Sequence, residues 1–413
     1  MTTEDLTARF RPIFQRIAKD AVRREQQREL PFEPIKWLRE AGFGALRVPK
    51  SLGGEGATIT QLFQLLVELA EADSNIPQIL RAHFAFVEGQ LTSKDPAARN
   101  LWLRRVAGGA LVGAAMAERT EATENTVSLV RRDGHWILNG QKYYCTGTIY
   151  ADWVAAAAVD GDEHVSVAVP ANAPGVTRED DWDGFGQRLT GSGTTRFDHV
   201  RLEDEHIIRR IAAKEYRSES YLTAFYQLFH LATLAGIARA VLRDGTAFVQ
   251  GRTRAFGVYG TSSPRTDSLV QRVVGRLASL SFAATTLVES VASAIEATYQ
   301  AVLRDASDEA LYAETDVKAF QAQQIVINLV LEATTLLFEV GGASATSETR
   351  RLDRYWRNAR TLASHNPAIY RERAIGDYHL NGTAPREAWF AKQPPTIVTR
   401  AILSPPIDEL TGG

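Results

Sequence analysis

Polar chemistry gathers in one stretch of an otherwise apolar C-terminal region, Arg354-Tyr-Trp-Arg-Asn-Ala-Arg-Thr-Leu-Ala-Ser-His-Asn-Pro367. Arginines, a tryptophan and an amide precede His365, the one side chain here that titrates near neutrality. The residue before a proline is pushed away from helical geometry, so Asn366-Pro367 closes the segment and puts His365 at or just past a helix end. Composition alone reads the arginines as a solvated face and His365 as a satisfied helix-end histidine.

Other stretches offer groups to a cofactor. Tyr143-Tyr-Cys-Thr-Gly147 falls between two predicted strands, where it is either a cofactor-facing loop or a β-bulge with an incidental threonine. Cys145 has no charged neighbour to lower its pKa and reads as a packing residue. The run from Asp180 to Thr195 is polar and glycine-rich, which allows close approach to a ligand. Arg254 follows a long helical stretch, and Glu339-Val-Gly-Gly-Ala343 reads as a glycine helix stop. Several chemistries are missing. No Gly-x-Gly-x-x-Gly turn, Walker loop or His-Glu-x-x-His helix occurs, so the chain has no nucleotide fingerprint of its own for hydride delivery. A single cysteine excludes internal disulfides and thiolate metal clusters, and no metal site is expected.

The elements that must position these groups follow from periodicity. The chain has 413 residues, 45% hydrophobic and 23% charged, the balance of a folded globular protein long enough for two or three packed units. Apolar spacing predicts helices over 3–27, 32–41, 58–72, about 75–89 and 96–108, with Thr58 and Asp95-Pro96 as start signals and Gly42 as a stop. After Leu111 the period shortens. Strands are predicted near Val127–Val130, His135–Leu138, Trp153–Val159, His164–Val169 and Thr194–Val200. Asp133-Gly134, Asn139-Gly140 and Asp160-Gly161 read as hairpin turns of an antiparallel unit. Long helices return over about 216–251, 266–305 and 308–340. The division is thus an all-helical unit 1–110, a middle β unit 111–212 and a helical bundle with a tail over 213–413. A formal charge of −2 gives no electrostatic case for nucleic acid. The acidic N-terminus and the lack of an unbroken apolar run of ~20 residues suggest no secretion signal and no membrane partner, and hence a cytoplasmic protein.

The pattern Arg-Tyr-Trp-Arg-Asn-Ala-Arg-Thr, three residues, then His-Asn-Pro resembles the C-terminal active-site segment of the dibenzothiophene monooxygenases and related flavin-dependent monooxygenases of the acyl-CoA dehydrogenase fold. The Val48-Pro-Lys-Ser-Leu-Gly-Gly-Glu-Gly56 loop and the Asp180-to-Thr195 segment, with Thr190-Gly-Ser-Gly193, resemble motifs of the same group. The resemblance covers nearly the whole chain. It implies a mainly α fold with a middle β domain: an N-terminal helical domain, a β-barrel or sandwich, and a C-terminal four-helix bundle. It also implies reduced FMN rather than FAD, dioxygen, a separate NAD(P)H-dependent flavin reductase, and a homotetramer. Met116, Tyr144, Cys145, Thr146 and Gly147 would lie along the flavin ring, and Arg254 would meet its phosphate across a subunit contact. Gly341 and Gly342 would approach the cofactor of a neighbouring subunit. His365 and Thr146 would donate hydrogen bonds to a C4a-hydroperoxyflavin.

Departures from that pattern bear on the substrate. Where the dibenzothiophene enzymes carry a second histidine three residues before the one matched by His365, this chain has Leu362. Gln78 and Ala82 replace a pocket histidine and tyrosine, and His83 is either a pocket residue or a buried helix histidine. The expectation is a flavin-dependent oxygenation of a small organic, first of all organosulfur, substrate in a rebuilt pocket. A dehydrogenase or oxidase of the same fold would use bound FAD and a carboxylate base, typically in Tyr-Glu-Gly-Thr, which Thr361-to-Pro367 lacks. A non-catalytic scaffold of this fold would have no flavin affinity.

Overall fold

The computed structural model describes residues 2–119, 126–212, 220–253 and 263–385. The helical first unit opens with α1 (Thr3–Lys19), whose Thr2 and Asp5 form a reciprocal capping box. The apolar period continues without interruption to residue 27, yet the helix breaks at Asp20 and restarts as α2 (Ala21–Gln27). The break serves a buried ion pair, because Arg24 then reaches both the Ile17 carbonyl at 2.6 Å and the Asp73 carboxylate at 3.0 Å. After α3 (Phe32–Glu40), Gly42 adopts a left-handed φ of 76° and turns the chain. α4 (Ile59–Ala72), α5 (Asn75–Leu91) and α6 (Pro96–Ala107) follow, with Thr58 and Asp95 capping α4 and α6 as the spacing predicts.

The middle unit is β1 (Val112–Ala115), β2 (Ser128–Arg132), β3 (His135–Lys142), β4 (Trp153–Asp160), β5 (Glu163–Pro170), β6 (Val176–Arg178), β7 (Thr195–Leu202) and β8 (Ile207–Ala212). The ladders run in the order β6-β7-β3-β2-β4-β5-β8, with β1 also against β4. Most are antiparallel, but β1 and β2 both pair with β4 in parallel, at opposite ends of that strand. Asp133-Gly134 makes the β2–β3 hairpin, both residues at positive φ. Asn139-Gly140 does not turn the chain. It lies inside β3 at a register shift opposite β7, where Gly140 at φ 133° makes a bulge. Inward alternation of Leu129, Leu138, Val154, Val165, Val167 and Val200 builds a core separate from that of the helices.

The last unit is α7 (Leu222–Gln250), α8 (Ser268–Leu303), α9 (Glu309–Leu336), α10 (Asp353–His365) and α11 (Ala368–Asn381). Residues 216–219, read as helix, lie outside the described residues. First and last units share one core, seen where Phe63 of α4 packs edge-on to Phe225 and Phe229 of α7 with ring centres 5.2 and 5.1 Å away. A buried network fastens them further: Arg47 bonds both oxygens of Glu88, and the Tyr221 hydroxyl donates to Glu88 at 2.6 Å. By length and composition α7, α8 and α9 are each apolar enough to cross a membrane. The sequence reading sought an unbroken apolar run, and scattered polar side chains on these helices interrupt one without making the helices polar.

Candidate active site

α10 carries the arginine-rich segment, and its arginines prove to be mostly structural. Arg354 reaches Asp244 of α7 at 3.2 Å, and Arg357 bonds Glu25 at 2.7 Å and the Phe185 carbonyl at 2.9 Å. Asn358 holds two units at once. Its Oδ1 accepts from the Gln187 amide at 2.7 Å and its Nδ2 donates to Ser74 Oγ at 3.0 Å. Above it the Phe185 ring stacks on Trp356. The helix is thereby locked to the glycine-rich β loop and to the α4–α5 turn before it delivers its last residue, His365.

His365 ends α10 as expected, with Asn366 extended at φ −118°. Its Nε2 lies 3.2 Å from Arg81 Nη2, on α5, and its Nδ1 lies 3.2 Å from Asn366 Oδ1. A guanidinium can only donate, so Nε2 accepts and the ring proton sits on Nδ1, pointing at the amide oxygen. The chain of donors continues. Asn366 Nδ2 donates to Gln227 Oε1 at 3.0 Å and to His230 Nδ1 at 3.4 Å, which places the His230 proton on Nε2. The two imidazoles lie 4.3 Å apart between Arg81 and Arg371, and Arg371 bonds Gln227 and Gln323. His365 stays exposed at one side while Arg81, His230 and Asn366 crowd its ring. Burial, then the Arg81 charge, pulls its pKa down to about 3. Burial likewise drives His230 well below its ordinary value, with the His365, Arg81 and Arg371 charges adding to it. Both rings are neutral at any ordinary working pH.

A ledge of the sheet unit forms the second half. Ala114 donates to the Thr146 carbonyl and Tyr143 to the Ala117 carbonyl, which sets Met116 beside the 143–147 loop. Met116 and Tyr144 are 42% and 51% exposed, and Tyr144 is held at a left-handed φ of 60°. At the edge of this apolar shelf the Thr146 hydroxyl lies 2.8 Å from Ser192 Oγ, itself 2.7 Å from Thr190 Oγ1. Gly147, at φ 79°, presses so near α5 that a Cβ would stand 2.5 Å from the Ile79 carbonyl. No side chain fits there. The Cys145 side chain points into the sheet core, and burial pushes its thiol up to about 11, so it neither faces the shelf nor acts as a nucleophile. Two exposed apolar side chains with hydroxyls at their margin fit a planar aromatic ring system that needs one polar edge.

The remaining expected residues divide. Gln78 and Ala82 are buried on α5, one turn apart, and Leu362 is buried one turn before His365. His83 belongs to the core instead of an opening. Its Nε2 donates to the Gly44 carbonyl at 2.9 Å and its Nδ1 accepts from the Val112 amide, so both nitrogens are used and burial takes its pKa down to about 4. Gly341 packs under the Phe248 ring, while Gly342, at φ 51°, borders open space. Arg254 lies outside the described residues. A groove of about 690 Å³ between α1, α4 and α8 touches none of these groups. Sequence reasoning missed Arg81, His230, Gln227, Arg371 and Ser192. Only Ser192 carried a signal, its place inside the glycine-rich loop.

Comparison with known proteins agrees with this layout. Residues 3–110, 114–200 and 228–368 match the models of the acyl-CoA dehydrogenase N-terminal, middle and C-terminal domains in that order. A probable FMNH2-dependent monooxygenase, SfnC of Pseudomonas putida, is 25% identical over 91% of this chain and 94% of its own. A dibenzothiophene monooxygenase of Rhodococcus qingshengii is 26% identical over 84% and 86%. Among solved structures, methanesulfinate monooxygenase MsuC of Pseudomonas fluorescens superposes with a TM-score of 0.82 at 25% identity, covering 92% of this chain and 97% of that one. FMN-bound TdsC of Paenibacillus sp. A11-2 gives 0.82 at 25%, covering 91% and 98%. Three domain models in sequence, the same helix–sheet–helix order and the same coverage from end to end leave one placement: the chain belongs to the acyl-CoA dehydrogenase family.

Proposed function

We propose that the protein is a two-component monooxygenase. A separate NAD(P)H-dependent flavin reductase supplies reduced FMN, and one atom of dioxygen is inserted into a small organosulfur compound. The observation that carries this reading is His365. A dehydrogenase of this fold needs a carboxylate base, whereas here the group is a neutral imidazole with no carboxylate bonded to it or to Arg81 among the described residues. The names of SfnC, the dibenzothiophene monooxygenases and MsuC support the same chemistry.

When bound, reduced flavin supplies the two electrons by which dioxygen yields one inserted oxygen and one water. The chain's own residues then have defined work. Met116 and Tyr144 would cover the apolar ring face, and the linked hydroxyls of Thr146 and Ser192 would offer hydrogen bonds at its polar edge. His365, held neutral, exchanges hydrogen bonds without bringing in a charge that would draw water to the site. Arg254, outside the described residues, would meet the flavin phosphate across a subunit contact, and Gly341 and Gly342 would approach the cofactor of a neighbouring subunit. We assign the enzyme to the cytoplasm as a homotetramer.

The test is isotopic. Purified protein with FMN, NADH, a generic flavin reductase and a panel of small sulfur compounds under 18O2 gives a product carrying one labelled oxygen. Tightly held FAD that is bleached by an acyl-CoA without oxygen overturns the reading in favour of a dehydrogenase.

A further inference from the structure

Arg81 is a cation with no anion. Its Nη2 donates to His365, its guanidinium stands 5.2 Å from the centre of the Tyr226 ring, and its Nε is buried with no hydrogen-bond partner. No carboxylate forms an ion pair with it among the described residues. The buried Arg24, Arg47 and Arg354 are answered by Asp73, Glu88 and Asp244, whereas Arg81 and the buried Arg371 form no ion pair among the described residues. Burial alone lowers the Arg81 pKa, with only Tyr226 acting against it. The second cation of the cluster, Arg371, is partly offset by Asp316, so Arg81 is where uncompensated charge collects. Arg81 is half-buried with its Nε fully enclosed, and an unpaired cation so placed is costly, so one kept beside a candidate active site calls for a ligand that supplies the missing charge.

The surroundings say what kind. Unpartnered buried polar atoms concentrate here: Arg81 Nε, His230 Nε2 and Arg371 Nε, with Gln78 Oε1 one turn back on the Arg81 face of α5. Three are N–H donors. The Gln78 amide can also turn its NH2 toward a ligand, since its two ends are nearly isosteric. A group rich in acceptor oxygens matches that set. Beside it, Ala82 offers only a methyl group and Leu362 an apolar wall, which limits the rest of the ligand to something short and apolar.

We propose that Arg81 binds the anionic head of the substrate and that the substrate is therefore a small organosulfur oxyanion of the alkanesulfinate class, not a neutral thioether or thiophene. This rests on the oxygenation proposed above and specifies its substrate. The reaction balances as R–SO2⁻ + O2 + FMNH2 → R–SO3⁻ + FMN + H2O, with the sulfur lone pair forming the new S–O bond and the O–O bond breaking. A guanidinium suits a sulfinate because two of its N–H groups can face two oxygens at once. Arg81 then turns from His365 to the ligand and releases the ring nitrogen it occupies.

Calorimetry of the protein with FMN present tests this without turnover. Wild type binds methanesulfonate, an unreactive oxyanion, at least tenfold more tightly than neutral dimethyl sulfone of similar size. Arg81→Gln erases that preference, Arg81→Lys keeps part of it, and both variants retain the FMN affinity and melting temperature of the wild type. Equal binding of sulfone and sulfonate by wild type overturns the proposal, as does undiminished sulfonate binding by Arg81→Gln. Loss of FMN affinity in both variants also overturns it, by giving the guanidinium to the flavin phosphate. The parent reading fails separately: selective, Arg81-dependent sulfonate binding with no 18O in any sulfur product sinks the monooxygenase and leaves the anion site standing.

Discussion

At the scale of single residues, the structure separates two histidines that the sequence left alike. His365 ends a helix with its face partly open, so its removal leaves no core cavity. His365→Ala is expected to keep the fold and FMN binding while hydrogen peroxide release rises and product per FMNH2 oxidised falls several-fold. Unchanged coupling would return His365 to a purely structural helix end. His83 makes the opposite prediction. Its folded pKa is depressed from 6.5 to about 4 because the buried ring is satisfied only when neutral. The unfolded chain then binds the extra proton first, so stability is fully present above about pH 6.5 and declines as pH falls toward 4. That drop corresponds to about 3 kcal/mol. Urea unfolding at pH 7 and pH 4.5 measures it, and His83→Gln, which cannot titrate, should flatten the slope over that range. No local sequence signal distinguishes these roles. Arg81 was equally silent, since a lone arginine in an amphipathic helix reads as solvated until α10 and α7 are packed against it.

Among elements, α10 decides whether the two halves of the site meet. The Asn358 amide is the only described side chain of α10 that bonds both the β loop and the α4–α5 turn. Asn358→Ala leaves the buried Gln187 amide without an acceptor, which costs about 1 to 3 kcal/mol. It is also expected to raise the FMN and substrate requirements together, because the helix carrying His365 loses its register against the sheet ledge. Stability reduced with kinetics untouched would show that Arg357 and the Phe185–Trp356 stack suffice. The helices themselves were legible because their signals are local: Thr58 and Asp95 cap where their side chains can reach the first amides. The sheet was less so. Asn139-Gly140 has the composition of a turn, but pairing with β7 on the far side of β3 holds it as a bulge, and β1 gave no alternation in its small residues. The break at Asp20 likewise answers to Asp73, 53 positions on, which no window of periodicity contains.

For the whole molecule the question is what covers the outer bundle. α7 is enclosed, with 83% of its apolar window buried, but only 39% and 44% of those on α8 and α9 are. Along the outward side of α8 the exposed positions 275, 278, 279, 282 and 286 are Gly, Ala, Ser, Phe and Thr, a face free of charge over three turns. Phe282 stands 73% exposed at its centre. An uncharged apolar face of this extent is covered either by protein or by lipid. Self-association is favoured here because small residues flanking one aromatic allow close helix approach, and because Glu289, Arg272 and Arg276 border the face with charges that a bilayer interior would reject. Light scattering after gel filtration in detergent-free buffer is therefore expected to give four chains. Phe282→Asp, which places a charge at the centre of the face without touching the bundle core, should yield monomers or dimers that keep the helical circular dichroism of the wild type. A monomeric wild type that sediments with anionic vesicles would overturn the tetramer and assign the same face to a membrane surface.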